Sequence, residues 1–108
     1  MRKARVYYKD EDAGVLTQHD DGSFTFKYND NWIYNPDKPA ISLTLPKSEN
    51  EFHSHHLFPF FYNMLPEGTN KQVVCKLNRI DPKDDFGLLM TTAKYDSIGA
   101  VTVQKTDN

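Results

Sequence analysis

Cysteine is nearly absent. Cys75 stands alone, so no intrachain disulfide can form, and the chain fits a reducing compartment, which makes the cytoplasm its expected home. No apolar run approaches the roughly 18–20 residues of a membrane span, and Met1-Arg2-Lys3-Ala4 leads into a strand pattern rather than a signal-peptide core. The five glycines are isolated from one another. Neither Gly-x-x-x-x-Gly-Lys nor Gly-x-Gly-x-x-Gly can be written, which excludes a phosphate-cradling loop. A kinase catalytic Asp followed by its metal-binding Asn is missing as well, so the sequence shows no equipment for ATP chemistry. Nor is there an excess of positive charge: 13 basic residues face 15 acidic ones, for a net charge of −2, spread along the chain rather than gathered. That argues against a direct nucleic-acid footprint, which needs clustered Lys and Arg to displace counterions. Internal repeats and low-complexity segments are also lacking.

What the chain does have is aromatic residues. Seven Phe, six Tyr and one Trp carry much of the available buried area where Ile and Val are few, because each aromatic buries roughly 150–250 Å². At 108 residues one domain spanning 1–108 with one core is expected.

Arg5 to Tyr8 reads as a strand, stopped by the polar Lys9-Asp10-Glu11-Asp12 turn. Val15 to Thr17 resumes β character. Asp20-Asp21-Gly22 signals a second hairpin, with Gly supplying positive φ. From Ser23 to Tyr28, Phe24, Phe26 and Tyr28 alternate with polar residues, the period-two pattern of a strand with one buried face. Three strands in sequence predict an antiparallel meander. Asn29 to Pro39, with Trp32 and Tyr34, lacks periodicity and reads as a packed loop. Ile41, Leu43 and Leu45 alternate in a fourth strand, Ala40 to Leu45, which Pro46 ends. Lys47 to Glu51 reads as an exposed connection.

The second half has helical spacing. Leu57, Phe58, Phe60, Phe61, Met64 and Leu65 predict an aromatic core helix with Pro59 in its first turn. Pro66-Glu67-Gly68 breaks it, and Thr69 or Asn70 caps a second helix whose Val73, Val74, Leu77 and Ile80 share a face. Asp84 caps a third through Phe86, Leu88, Leu89 and Met90, and Ile98 to Val103 closes as a strand. The fold class is α+β: a small antiparallel β-meander, about three helices, then a final strand.

The candidate chemistry is thin. His53, His55 and His56 sit within four residues, with His53 and His56 placed to share a helical face, but no Cys or further His lies near enough in sequence to complete four zinc ligands. Cys75 falls among the apolar residues of a helix, where a packing role outweighs a nucleophilic one. The acidic pairs Asp20-Asp21, Asp84-Asp85 and Glu49/Glu51 lie in turns or caps. No catalytic residue, cofactor site or metal site is therefore expected. The feature that stands out is the corner from Leu65 through Pro66, Glu67, Gly68 and Thr69 to Asn70. It offers a carboxylate, backbone amides at a helix start and a hydroxyl on rigid flanks, which suits a protein contact. Trp32 and Tyr34 form a weaker second patch.

Phe60-Phe61-Tyr62-Asn63-Met64-Leu65-Pro66-Glu67-Gly68 resembles the Phe-Phe-x-Asn-Leu-Leu-Pro-Asp/Glu segment of HipA-type serine/threonine kinases. Further stretches match in order: Gly14-Val15-Leu16 with Phe24 to Tyr28; Ile41-Ser42-Leu43-Thr44-Leu45-Pro46; Asp85-Phe86-Gly87-Leu88-Leu89; and Asp96-Ser97-Ile98-Gly99-Ala100-Val101. The resemblance covers nearly the whole chain but only the N-terminal subdomain of such a kinase, whose ATP site and catalytic Asp lie beyond it. It departs at Thr69-Asn70, where the family has a bulky apolar residue or Trp, and at Lys94-Tyr95, where it has glycine.

The resemblance implies a stand-alone protein similar to the small subunit of HipBST toxin–antitoxin systems. Such a subunit binds and restrains a separately encoded HipA-like kinase, and reaches a helix-turn-helix repressor through the complex. On this reading the chain is bacterial, non-catalytic and touches neither nucleic acid nor membrane, and the kinase contact is at Leu65 to Asn70. The start and the polar Lys105 to Asn108 end fit a complete small protein. The alternatives are a fragment or remnant of a full kinase with a structural role, or a small metal- or Cys-dependent enzyme.

Overall fold

A computed structural model of the chain describes residues 1–93 and 100–106. Its first half is a meander. Strand β1 (Arg2–Tyr8) turns through Lys9 and Asp10 into β2 (Glu11–Gln18). Both turn residues have positive φ, 48° and 66°, and Tyr8 pairs with Glu11. This is a two-residue hairpin whose twist matches that of its strands. The register slips between Val6 and Tyr7, so that Val6 faces Gly14 and Tyr7 faces Asp12, leaving Ala13 as the extra residue of a β-bulge. Strand β3 (Phe24–Tyr28) follows a turn in which Gly22 has φ of +89°. There Asp21 accepts hydrogen bonds from the Ser23 backbone and hydroxyl, as the Asp-Asp-Gly signal predicts.

A single helical turn, α1 (Asp30–Ile33), lies inside the stretch expected to be a loop. It buries Trp32, whose Nε1 donates to the Pro39 carbonyl at 2.9 Å, and leaves Tyr34 78% exposed. The expected strand over Ala40 to Leu45 does not form. Ile41 and Leu45 are buried but Leu43, the middle of the alternating triplet, is 99% exposed. The Tyr28 hydroxyl explains why: it accepts from the Ile41 backbone N–H and donates to the Leu45 carbonyl, holding the segment as a turn. The fourth strand is instead β4 (Glu51–Ser54), which begins in the expected polar connection and pairs with β3, Phe26 opposite Phe52.

Helix α2 (Pro59–Tyr62) is one turn rather than the longer helix expected, with Pro59 at its first position, where a missing N–H costs nothing. Next come α3 (Gly68–Asn78), α4 (Asp85–Thr92) and strand β5 (Val101–Lys105). Asp84 caps α4 as predicted, its carboxylate accepting from Gly87 N at 3.1 Å. The expected last strand began at Ile98; Ile98 lies outside the described residues, as do Asp96 to Gly99 of the motif, and β5 runs from Val101.

All strand pairs are antiparallel, in the order β4-β3-β2-β1-β5. The result is the α+β fold read from the sequence. One sheet face carries Ala4, Val6, Leu16, Phe24, Phe26, Tyr28, Val101 and Val103, all buried. The helices cover it: Phe61 of α2 meets Phe26 at 5.8 Å between ring centroids, and Phe86 of α4 stacks on Phe24 at 6.1 Å. The backbone of β5 is tied to the end of α4 by Val103 N donating to the Ala93 carbonyl at 3.1 Å. The opposite face is polar, with Lys27 and His53 exposed.

Candidate functional site

The corner between α2 and α3 is made by tight backbone bonding on an apolar anchor. Met64 N bonds the Phe61 carbonyl and Leu65 N the Tyr62 carbonyl, each at 3.0 Å, a tightened helix end. Phe61 is fully buried and Leu65 nearly so, which fixes the corner to the core. Pro66 then forbids helix continuation, and Gly68 takes φ of +56°, a conformation few side-chain-bearing residues adopt.

Helix α3 starts at this glycine, ahead of the caps expected at Thr69 or Asn70. Its N-cap is Glu67, which makes no side-chain cap. The Glu67 carboxylate is therefore not used to cap the helix. Glu67, Gly68, Thr69 and Asn70 are exposed and Pro66 is half-buried. With Tyr62 and Lys71, the residues from Leu65 to Gly68 line a shallow groove of about 220 Å³. Five of the six expected contact residues thus reach solvent to some degree, and the sixth, Leu65, is their buried footing.

The second patch separates. Trp32 is buried edge-on against Tyr8, with ring centroids 5.9 Å apart, whereas exposed Tyr34 borders a larger groove of about 640 Å³ with Ile33, Lys47, Glu49 and Glu51.

The histidines do not share a helix. His53 lies in β4, where its Nδ1 is 3.0 Å from Thr25 Oγ1. The same hydroxyl is 2.7 Å from His19 Nε2, a pairing across strands that sequence spacing does not reveal. Glu51 sits 3.3 Å from His53 Nε2. Among the described residues no group of three or more His, Cys, Asp or Glu is placed to hold a metal. Cys75 is the one buried residue of α3, in the packing position expected of it.

Four ionisable groups among the described residues are shifted. Exposed Asp20 and Asp21 are held below the usual carboxylate range, by the N-terminal amine and by hydrogen bonds from Ser23 respectively, while Asp84 and Tyr28 serve the fold. Hydrogen bonds from the Arg2 guanidinium hold the Asp84 carboxyl below its usual range, with partial burial opposing them. Burial pushes the Tyr28 hydroxyl up, opposed by the bond from the Ile41 backbone. No helix among the described residues is long and apolar enough to cross a membrane.

Known proteins bear on this arrangement. A family model described as the HipA N-terminal domain matches residues 4–104. An uncharacterized protein of Haemophilus influenzae is 33% identical over 105 residues, which is 97% of this chain and 93% of that protein. Two proteins of Sinorhizobium fredii that carry kinase names, Y4mE and Y4dM, are 29% and 30% identical over 82% and 90% of this chain. The chain spans only 21% and 25% of their lengths. A solved structure titled N-terminal domain of HipA toxin superposes with a TM-score of 0.72 at 29% identity, covering all of this chain and 95% of that one.

Proposed function

Because the chain belongs to the HipA N-terminal domain family, we propose that it is a non-catalytic, cytoplasmic interaction module that binds a separately encoded HipA-type kinase and inhibits it within a toxin–antitoxin system. The observation that carries this is a contrast in coverage. The chain spans nearly all of the Haemophilus influenzae relative and of the solved HipA domain, but only a fifth to a quarter of the two relatives with kinase names. A unit that makes up nearly all of one relative and a small part of two others with kinase names is suited to dock on a kinase that lacks it.

The contact is at Leu65 to Asn70. Rigid flanks lower the entropy lost on binding, and the uncapped Glu67 carboxylate is free to meet a cationic group. A helix-turn-helix repressor joins through the kinase, and the unclustered basic charge gives this chain no footprint on DNA of its own.

The test is to purify the chain with the HipA-type kinase of the same genome and measure binding, then kinase autophosphorylation with and without the chain. Tight binding with suppressed autophosphorylation is the expected result. Failure to bind sinks the proposal. In the same assay Glu67→Ala/Thr69→Ala folds normally and weakens the complex, and unchanged affinity removes the corner from the contact.

A further inference from the structure

The sequence places Val73 and Leu77 on the core face of α3, and the structure contradicts this. Val73 is 48% exposed and Leu77 77% exposed, while Cys75 between them is 4% exposed. At 3.6 residues per turn both lie about 160° around the helix from Cys75. The helix therefore carries apolar residues on two sides, and the outward pair is spaced i, i+4, the arrangement by which a helix presents anchors to a groove.

Thr69 and Asn70 lie on this same outward side, one turn before Val73, so the stripe continues the exposed corner without a break. At its far end Lys76 and Arg79 are exposed. Among the described residues neither forms an ion pair. An apolar stripe ended by two unpaired cations is complementary to an apolar groove rimmed by carboxylates.

We infer that the outward face of α3, centred on Val73 and Leu77, is a second part of the docking surface and seats in an acid-rimmed apolar groove on the HipA-type kinase. This rests on the proposed kinase association and extends it from the corner along the next two turns of helix. The Val73 and Leu77 side chains are the anchors, and Lys76 and Arg79 set orientation and association rate.

Isothermal titration of the purified chain against the purified HipA-type kinase of the same genome tests it, with wild type beside Val73→Ser/Leu77→Ser and Lys76→Glu/Arg79→Glu. Because the replaced side chains are exposed, both variants retain the wild-type circular dichroism and melt. The serine pair weakens binding roughly thirtyfold or more. The glutamate pair weakens binding and flattens its dependence on salt.

If wild type binds and the serine pair binds equally well, this inference is overturned while the kinase association stands. If wild type itself does not bind, the association fails and takes the inference with it. If sedimentation shows that wild type self-associates through Val73 and Leu77, the occupant is a second copy of the chain and the inference is likewise overturned.

Discussion

Arg2, the first residue of β1, grips Asp84, the cap of α4, across 82 positions of sequence. Nη1 donates to Oδ2 at 3.0 Å and Nη2 to Oδ1 at 2.6 Å. This bidentate pair has the geometry that makes Arg–carboxylate contacts stronger than point-charge pairs. The guanidinium also lies 5.0 Å from the centroid of the Phe86 ring and donates to Gln18. One carboxylate thus serves both a helix and a sheet. Asp84→Ala is expected to cost about 1–3 kcal/mol, combining a lost cap with a stranded guanidinium. Asp84→Asn keeps the cap and costs less. Urea unfolding monitored by circular dichroism measures both.

The same pair makes stability depend on acid. The folded Asp84 carboxyl titrates below its unfolded value of about 3.9 because Arg2 bonds its charged form. Its contribution is fully present above the unfolded value and is lost as pH falls through the lower folded one. The melting temperature of wild type should fall across this window, and the gap to Asp84→Asn should narrow with it. A gap that is constant from neutral pH into this acid range contradicts the linkage.

Tyr28→Phe removes the hydroxyl that holds Ile41 and Leu45, both buried. An N–H and a carbonyl then lose their partner at a site closed to water, at a cost of about 1–3 kcal/mol. Faster hydrogen exchange at the Ile41 amide, with little change across β1 and β2, distinguishes this local release from general loosening.

Gly14 sits where two strands come too close for a side chain. A Cβ there would lie 2.4 Å from the Lys27 carbonyl oxygen and 3.1 Å from the Phe26 ring. Gly14→Ala is expected to destabilise by about 1–3 kcal/mol through overpacking, read as a lower denaturant midpoint at an unchanged slope.

Local chemistry was legible where it decided the structure. The alternation of Phe24, Phe26 and Tyr28, the Asp-Asp-Gly turn, Pro59 at a helix start and Asp84 as a cap are each determined by a few neighbours. The misreadings arose where a distant partner decides. Ile41, Leu43 and Leu45 alternate like a strand, but one tyrosine hydroxyl from another strand bends them into a turn. Glu51 to Ser54 looks like a connection until β3 offers it an edge to pair with. On α3, apolar residues on two sides masked which of them faces the core. The corner was readable from Pro66-Glu67-Gly68, whereas the meeting of His19 and His53 at Thr25 depends on strand register that spacing alone does not supply.

The pairing of β5 with β1 has a consequence during synthesis. The ribosome makes β1 first and β5 last, yet the two are neighbours, with Val6 opposite Val103. Until β5 emerges, one flank of β1 lacks its mate, and its N–H and C=O groups stand bare. Nascent chains are therefore most prone to stick to one another before β5 emerges, and a chain cut ahead of Val101 should yield an insoluble product, not a smaller soluble one.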